Sequence, residues 1–381
     1  MDGGGVRIYD ASPTIDGNVI TDNAAWTGGG GVAITGGSPT IVNNQIVNNY
    51  QDGGSGGIGG GGIEVWVSER ARIVHNTISD NSFGGDPGGG IALDSASPLI
   101  EDNLITENFG GGIFAYNYSA PAIIQNLITY NQGEGIGLSP ALGKPGEALV
   151  VNNTIANNSW IGLSIGGAEH QVGLFNNIVV ATSGEAAILC DTTYDPLSPV
   201  LAANNAYTGG VPALQGGCQG AIGSNGNISV DPRFVNLSGG DYHLRSDSPA
   251  IDAGDNQAPD LPSSDLDGNP RSNPLDPTVD QGAFEYQLPR VHLERSPGKP
   301  ASVTVDNLAR AEGHVAIRDG TPGIQNVSVV VNGTHFEVEG LRNGEVRTLD
   351  VSSAMIPGDA NTMTFTALGQ PGGSADVAIF R

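Results

Sequence analysis

The apolar positions of this chain fall in runs of three to six residues in which apolar alternates with small or polar, the period of a half-buried strand. Setting SPTIDGNVITDN (Ser12 to Asn23) above SPTIVNNQIVNN (Ser38 to Asn49) exposes a repeat that continues as ARIVHNTISDN, SPLIEDNLITEN, APAIIQNLITYN and EALVVNNTIANN, with weaker copies around LFNNIVV and LAANNAY. Its period is roughly 27 residues. Each unit adds a further apolar stretch after a glycine cluster, as in GGGVAI, GGIEVWV, GGGIALD, GGGIFAY, GEGIGLS and WIGLSI. Three short strands per unit, turned by Asn and Gly that tolerate left-handed backbone, predict a coil that closes on itself and stacks on the next about 4.8 Å away. That is a parallel β-helix.

Ile15, Ile41, Ile73, Ile100, Ile123 and Val150 should then stack as one interior column, and Ile20, Ile46, Ile78, Ile105, Ile128 and Ile155 as another. Val32, Ile63, Ile91, Ile113, Ile136 and Ile161 are expected to form a third. The aligned Asn18, Asn44, Asn76, Asn103, Asn126, Asn153, Asn177 and Asn205 predict an internal ladder, each amide bonding to the copies above and below. A leucine-rich repeat of similar period needs leucine at several fixed positions and a helical return, and this unit has neither.

From Arg290 onward the repeat is gone. ASVTVDN, HVAIRD, QNVSVVV, THFEVEG, EVRTLDVSS, NTMTFTA and ADVAIF read as about seven strands, and Asn332-Gly333 is a two-residue hairpin signal, so residues 290–381 are expected to form an immunoglobulin-like sandwich. Residues 1–250 form the β-helix in this reading, and 251–289 an Asp- and Pro-rich connecting segment.

Composition narrows the partners. The 15 basic and 40 acidic side chains give a net charge of −25, which repels nucleic acid and anionic lipid. The chain has no apolar run of about 18 residues, so membrane insertion is not expected. Glycine is abundant, at 59 of 381 residues, without a Gly-X-Y period, and lysine occurs only at Lys144 and Lys299. Such a surface points to an extracellular or cell-surface bacterial protein. The chain opens directly on the repeat with MDGGGVRIYD, so a leader and earlier coils are expected upstream.

The repeat resembles the right-handed parallel β-helix superfamily of pectate lyases, polygalacturonases and many bacterial surface proteins. DPRFVNLSGGDYHLRSDSPAIDAGDN (Asp231 to Asn256), followed by DLDGNPR and DQGAFEY, closely resembles the tail of exported β-helix proteins with a choice-of-anchor segment. A polygalacturonase would bring paired aspartates in motifs such as NTD, DD, GHG and RIK, and none occurs in the β-helix. A pectate lyase would bring a basic residue beside calcium, and Arg70 and Arg72 are candidates, with a surface salt-bridge cluster as the competing reading. No catalytic residue is assigned, and no cofactor is required.

Three further groups of residues carry chemistry. Trp66, Phe114 and Tyr116 are expected to face outward on the strand after the glycine cluster, where aromatic rings stack sugars, unless the loop Tyr50 to Gly62 covers them. Calcium is the candidate ion at two places: Asp80 with Glu107, in the column of residues preceding each unit's second asparagine, and Asp265, Asp267 and Asn269, which alternate like half a calcium loop. The competing readings are a solvated edge and turn capping. Cys190 and Cys218 stand about one coil apart, within disulfide reach. The functional expectation is an extracellular structural or adhesive rod able to self-assemble end to end, with a polysaccharide-binding or polysaccharide-cleaving protein (lyase or glycoside hydrolase) as the alternative.

Overall fold

A computed structural model describes residues 3–52, 59–84, 88–140, 147–166, 171–182, 184–191, 199–272, 277–287, 290–298, 300, 302–308, 313–356, 360–369 and 371–380. Three parallel sheets, of nine, eight and eight strands, run along the first part of the chain. Each coil contributes one short strand to each sheet in turn, as in Val32–Thr35, Thr40–Val42 and Gln45–Val47, so consecutive coils pair rung on rung. Ile15, Ile41, Ile73, Ile100, Ile123 and Val150 pair in sequence, and Leu174 and Leu201 extend the column. Ile20, Ile46, Ile78, Ile105, Ile128 and Ile155 form the second column, continued by Val179 and Ala206.

The third column needs a correction. Ile136 pairs with Leu163, and Ile161 lies two residues earlier, before the strand. The reason is the close approach of coils at the preceding glycine. A Cβ on Gly112 would stand 2.6 Å from the Gly135 carbonyl oxygen, and one on Gly135 would stand 2.5 Å from that of Gly162. Gly162 therefore sets the register in WIGLSI, and Leu163 follows it into the core.

Two asparagine ladders stitch the coils together. In the first, the Asn103 amide donates to Asn126 Oδ1 at 2.9 Å and accepts from the Asn76 amide at 3.0 Å. This ladder runs through Asn18, Asn44, Asn76, Asn103, Asn126, Asn153 and Asn177. It then passes to Asn204, not Asn205, and on to Asn227. In the doublets Asn152-Asn153 and Asn176-Asn177 the first residue takes the left-handed corner, with φ of 52° and 56°. In the last copy Ala203 occupies that corner at φ 53°, so Asn204 enters the ladder and Asn205 begins the next strand. A second ladder links Asn23, Asn49, Asn81, Asn108, Asn131 and Asn158.

Residues beyond the last coil fold back onto the rod. Phe234, Tyr242, Leu244, Ile251, Ala283 and Phe284 bury against Ala156, Ile178 and Val180 of the third sheet, and Ala258 packs on Ile124 and Val151 of the second. The segment expected to connect two domains is thus a docked cover, held where Asn152 Nδ2 donates to the Gly282 carbonyl at 3.1 Å and Gly282 N to the Asn176 carbonyl at 2.7 Å. Cys190 and Cys218 form a disulfide across neighbouring coils, with Cα atoms 5.6 Å apart.

The C-terminal part comprises two four-stranded antiparallel sheets with their own core, compatible with a small sandwich. Arg290–Glu294 joins the expected strands as an eighth. At the hairpin, Asn332 and Gly333 take φ of 49° and 86°, as a two-residue turn of the right twist requires. Among the described residues there is no α-helix and no helix long and apolar enough to cross a membrane.

Candidate functional site

The outward side chains of the first sheet form two columns. Trp66, Asp94 and Tyr116 share one, because Trp66 pairs with Asp94 and Asp94 with Tyr116. Glu64, Ala92, Phe114, Gly137 and Ser164 share the other. Trp66 and Tyr116 are each 39% exposed, and the Phe114 ring stacks beside Tyr116 at 6.4 Å between centroids. Phe114 lies down on its neighbour in the next coil, where a Cβ on Gly137 would meet the ring at 2.5 Å. The rings therefore sit on a flat parallel sheet, and Asp94 stands between two of them. Residues 53–58 of the loop that could cover this face lie outside the described residues.

Three carboxylates border the rings. Asp94 Oδ1 accepts from Asn117 Nδ2 at 2.6 Å and from Ser95 Oγ at 3.0 Å, which fixes its orientation. Glu134 Oε2 accepts from Ser164 Oγ at 2.7 Å, and burial pushes its pKa up. Glu64 is buried among the small residues Ala33 and Ala92 of its column. Desolvation, and then the negative charge of Asp94, raise its pKa to about 7, against the lowering effect of a hydrogen bond from Gln51.

Gln51 Oε1 and Glu64 Oε2 are both buried and lack a hydrogen-bond partner among the described residues. Because this carboxyl binds its proton more tightly folded than unfolded, the stability it contributes is full below pH 4.5 and is lost as pH rises through about 7. The loss should reach about 3 kcal/mol at its largest. Thermal unfolding at pH 5 and pH 8 should show E64Q with a smaller drop than the parent, since its amide cannot ionise; parallel profiles for the two would exclude the assignment.

The other sequence candidates occupy different settings. Asp80 and Glu107 are exposed corner residues with φ of 54° and 58°, chosen for left-handed backbone. Farther along the same column Tyr130 and Asn157 hold the folded-back segment through the Leu237 carbonyl. Asp265 is a turn cap: its Oδ1 accepts from Asn269 N at 2.7 Å and its Oδ2 from Glu285 N at 2.9 Å. Asp267 instead bonds His243 Nε2 at 2.7 Å, so Asp265, Asp267 and Asn269 do not converge on one point. Among the described residues no group of three or more His, Cys, Asp or Glu is placed to hold a metal ion. Arg72, half exposed, reaches the more buried Glu101 at 3.7 Å, a long ion pair at the surface.

Glu64 and Asp94 were not singled out by the sequence reading, although a signal exists. Both are acidic residues at outward positions of a sheet where Ala33, Thr35, Ala92, Gly137 and Ser139 are small or uncharged.

The chain is similar to known proteins in its rod. No curated protein matches it. Among solved structures it is similar to the crystal structure of pectate lyase Pel9A, at 18% identity with a TM-score of 0.46, over 72% of this chain and 65% of that one. It thus spans less than two thirds of that structure's length. The family described as "Right handed beta helix region" matches residues 4–177, and the rod is a right-handed parallel β-helix.

Proposed function

We propose that this protein is an exported, adhesive β-helix protein whose first sheet binds neutral polysaccharide. The observation that carries this reading is the column Trp66–Asp94–Tyr116, two half-exposed rings about 10 Å apart with a hydrogen-bonding carboxylate between them. Sugar rings stack on such faces through their C–H groups, and a fixed carboxylate accepts from their hydroxyls. Binding without cleavage fits the charge of the site. The ionisable groups beside the rings, Glu64, Asp94 and Glu134, are all acidic; the charge of Asp94 repels a uronate chain, and none of them supplies a cationic base to abstract its α-proton.

The test is calorimetric titration with β-1,4-linked neutral hexasaccharides and with polygalacturonate. W66A and Y116A should each weaken hexasaccharide binding about tenfold, the size of one lost ring contact. Polygalacturonate should neither bind nor yield unsaturated products. Unchanged affinity in both variants, or release of such products, would sink the proposal.

A further inference from the structure

A second row of aromatic side chains runs along the bend that joins the third sheet of one coil to the first sheet of the next. Ala24 pairs with Tyr50 and Tyr50 with Ser82, while Phe109 bridges Ser82 and Gln132 bridges Phe109. In the following coil Ser159 N donates to the Asn131 carbonyl just as Phe109 N donates to that of Asn81, so Ser159 takes the same position and Trp160 follows it. Tyr50, Phe109 and Trp160 are 40%, 52% and 51% exposed. They fall in every second coil, Tyr50 and Phe109 at one position and Trp160 one residue past it, and Ser82 and Gln132 stand in the coils between.

The alternation is independent of the core. The side chains one residue on, Ala25, Gln51 and Phe83, are buried, whereas Trp160, at that same position in its own coil, is half exposed. The outward rings therefore add nothing to packing inside the rod. Single exposed aromatics need no explanation, whereas exposed rings that recur at one bend in every second coil do. Tyr50 is also held in place, its hydroxyl donating to Asp52 Oδ1 at 2.8 Å.

We infer that this bend is a second track for an extended neutral β-1,4-linked glycan, lying alongside the first sheet. A ring every second coil recurs about every 10 Å along the rod. A β-1,4-linked chain in its twofold extended form turns the same ring face outward at every second sugar, over a comparable length. Alternate sugars then stack on Tyr50, Phe109 and Trp160, while Ser82 and Gln132 meet the hydroxyls of the sugars between them. The net charge of −25 selects against acidic glycans. This inference shares only its ligand class with the reading of the first sheet.

The experiment is titration with the neutral β-1,4-linked hexasaccharide of the parent protein, W66A/Y116A, the triple variant Y50A/F109A/W160A and all five changes combined. Far-ultraviolet circular dichroism and the melting temperature serve as folding controls, and both should be unchanged because the replaced rings are solvent-facing. The parent should bind two hexasaccharides per chain, W66A/Y116A and the triple variant one each, and the combined variant none. One site lost in W66A/Y116A and untouched in the triple variant would overturn the second track and leave the first sheet's role intact. One site lost only in the triple variant would uphold the track and overturn the first-sheet reading. No binding by the parent would overturn both.

Discussion

Replacing Arg271 with methionine is expected to cost about 3–5 kcal/mol and to loosen the folded-back segment from the rod. Arg271 is 1% exposed, and each of its three nitrogens donates. Its Nε donates to Gln125 Oε1 at 2.9 Å on the rod, and its Nη1 to Glu285 Oε2 at 3.1 Å. Nη2 donates to the carbonyls of Gly282 and Ala283 at 3.0 and 3.1 Å. Gln125 in turn donates to Asp102 Oδ1 at 2.7 Å, so the guanidinium links a corner of the β-helix to the DQGAFE turn. Beside it, burial pushes the Asp280 carboxyl up in pKa, against the lowering effect of bonds from Tyr286 N and Asp252 N.

Removing the cation leaves Glu285 buried without its partner, which is the expensive part. The double change R271M/E285M removes both charges and should recover a substantial share of the loss. Chemical denaturation of the parent and the two variants measures this, with limited proteolysis after residue 230 reporting on release of the segment. A loss within about 1 kcal/mol for R271M, too small for a broken buried ion pair, would show that the network is not what holds the cover in place.

The rod was legible in the sequence because its information is repeated. Each interior column is written once per coil, so a strand of three residues, uninterpretable alone, is fixed by its copies. Errors arose where the copies disagree by one residue. The doublet at Asn204-Asn205 looks like Asn152-Asn153 and Asn176-Asn177, but Ala203 occupies the left-handed corner there and moves the ladder residue forward by one. The folded-back cover left a fainter mark. Ala122–Ile124, residues 149–151 and Ile178–Val180 are apolar at all three positions, as strands buried on both faces are, whereas Thr40–Val42, Arg72–Val74 and Leu99–Glu101 each keep a polar residue. What covers them is not repeated, and its docking contacts span more than 70 residues of sequence, as between Asn176 and Asp255. The outward site was half legible. Ring positions follow from strand alternation, whereas the environment of Glu64 depends on Gln51 from a different bend and on Asp94 from the next coil.

The ladder offers the sharpest test of how repetition becomes stability. Asn103→Leu preserves size and shape at the middle of the row, yet it deletes a set of bonds that no leucine can make. The Asn103 amide donates to the Ile73 carbonyl at 2.8 Å, to that of Glu101 at 2.9 Å and to Asn126 Oδ1 at 2.9 Å. Its Oδ1 accepts from both the backbone N and the side-chain amide of Asn76, at 2.9 and 3.0 Å. After the change two buried Asn76 donors and the Ile73 carbonyl face a methyl group. Each stranded buried group costs about 1–3 kcal/mol, so a loss of about 4 kcal/mol is expected, a large share of the stability of any domain. Asn18→Leu is the internal control. Asn18 is exposed, its bonds run to Asn44 alone on the ladder side, and water can replace them, so its loss should stay below about 1 kcal/mol. The difference between the two substitutions, read from urea midpoints at unchanged slope, isolates burial, since residue type and ladder are the same in both. Equal losses at the two positions would mean that the amide row contributes by local turn geometry, and that the coils are held together by their apolar columns and backbone pairing alone.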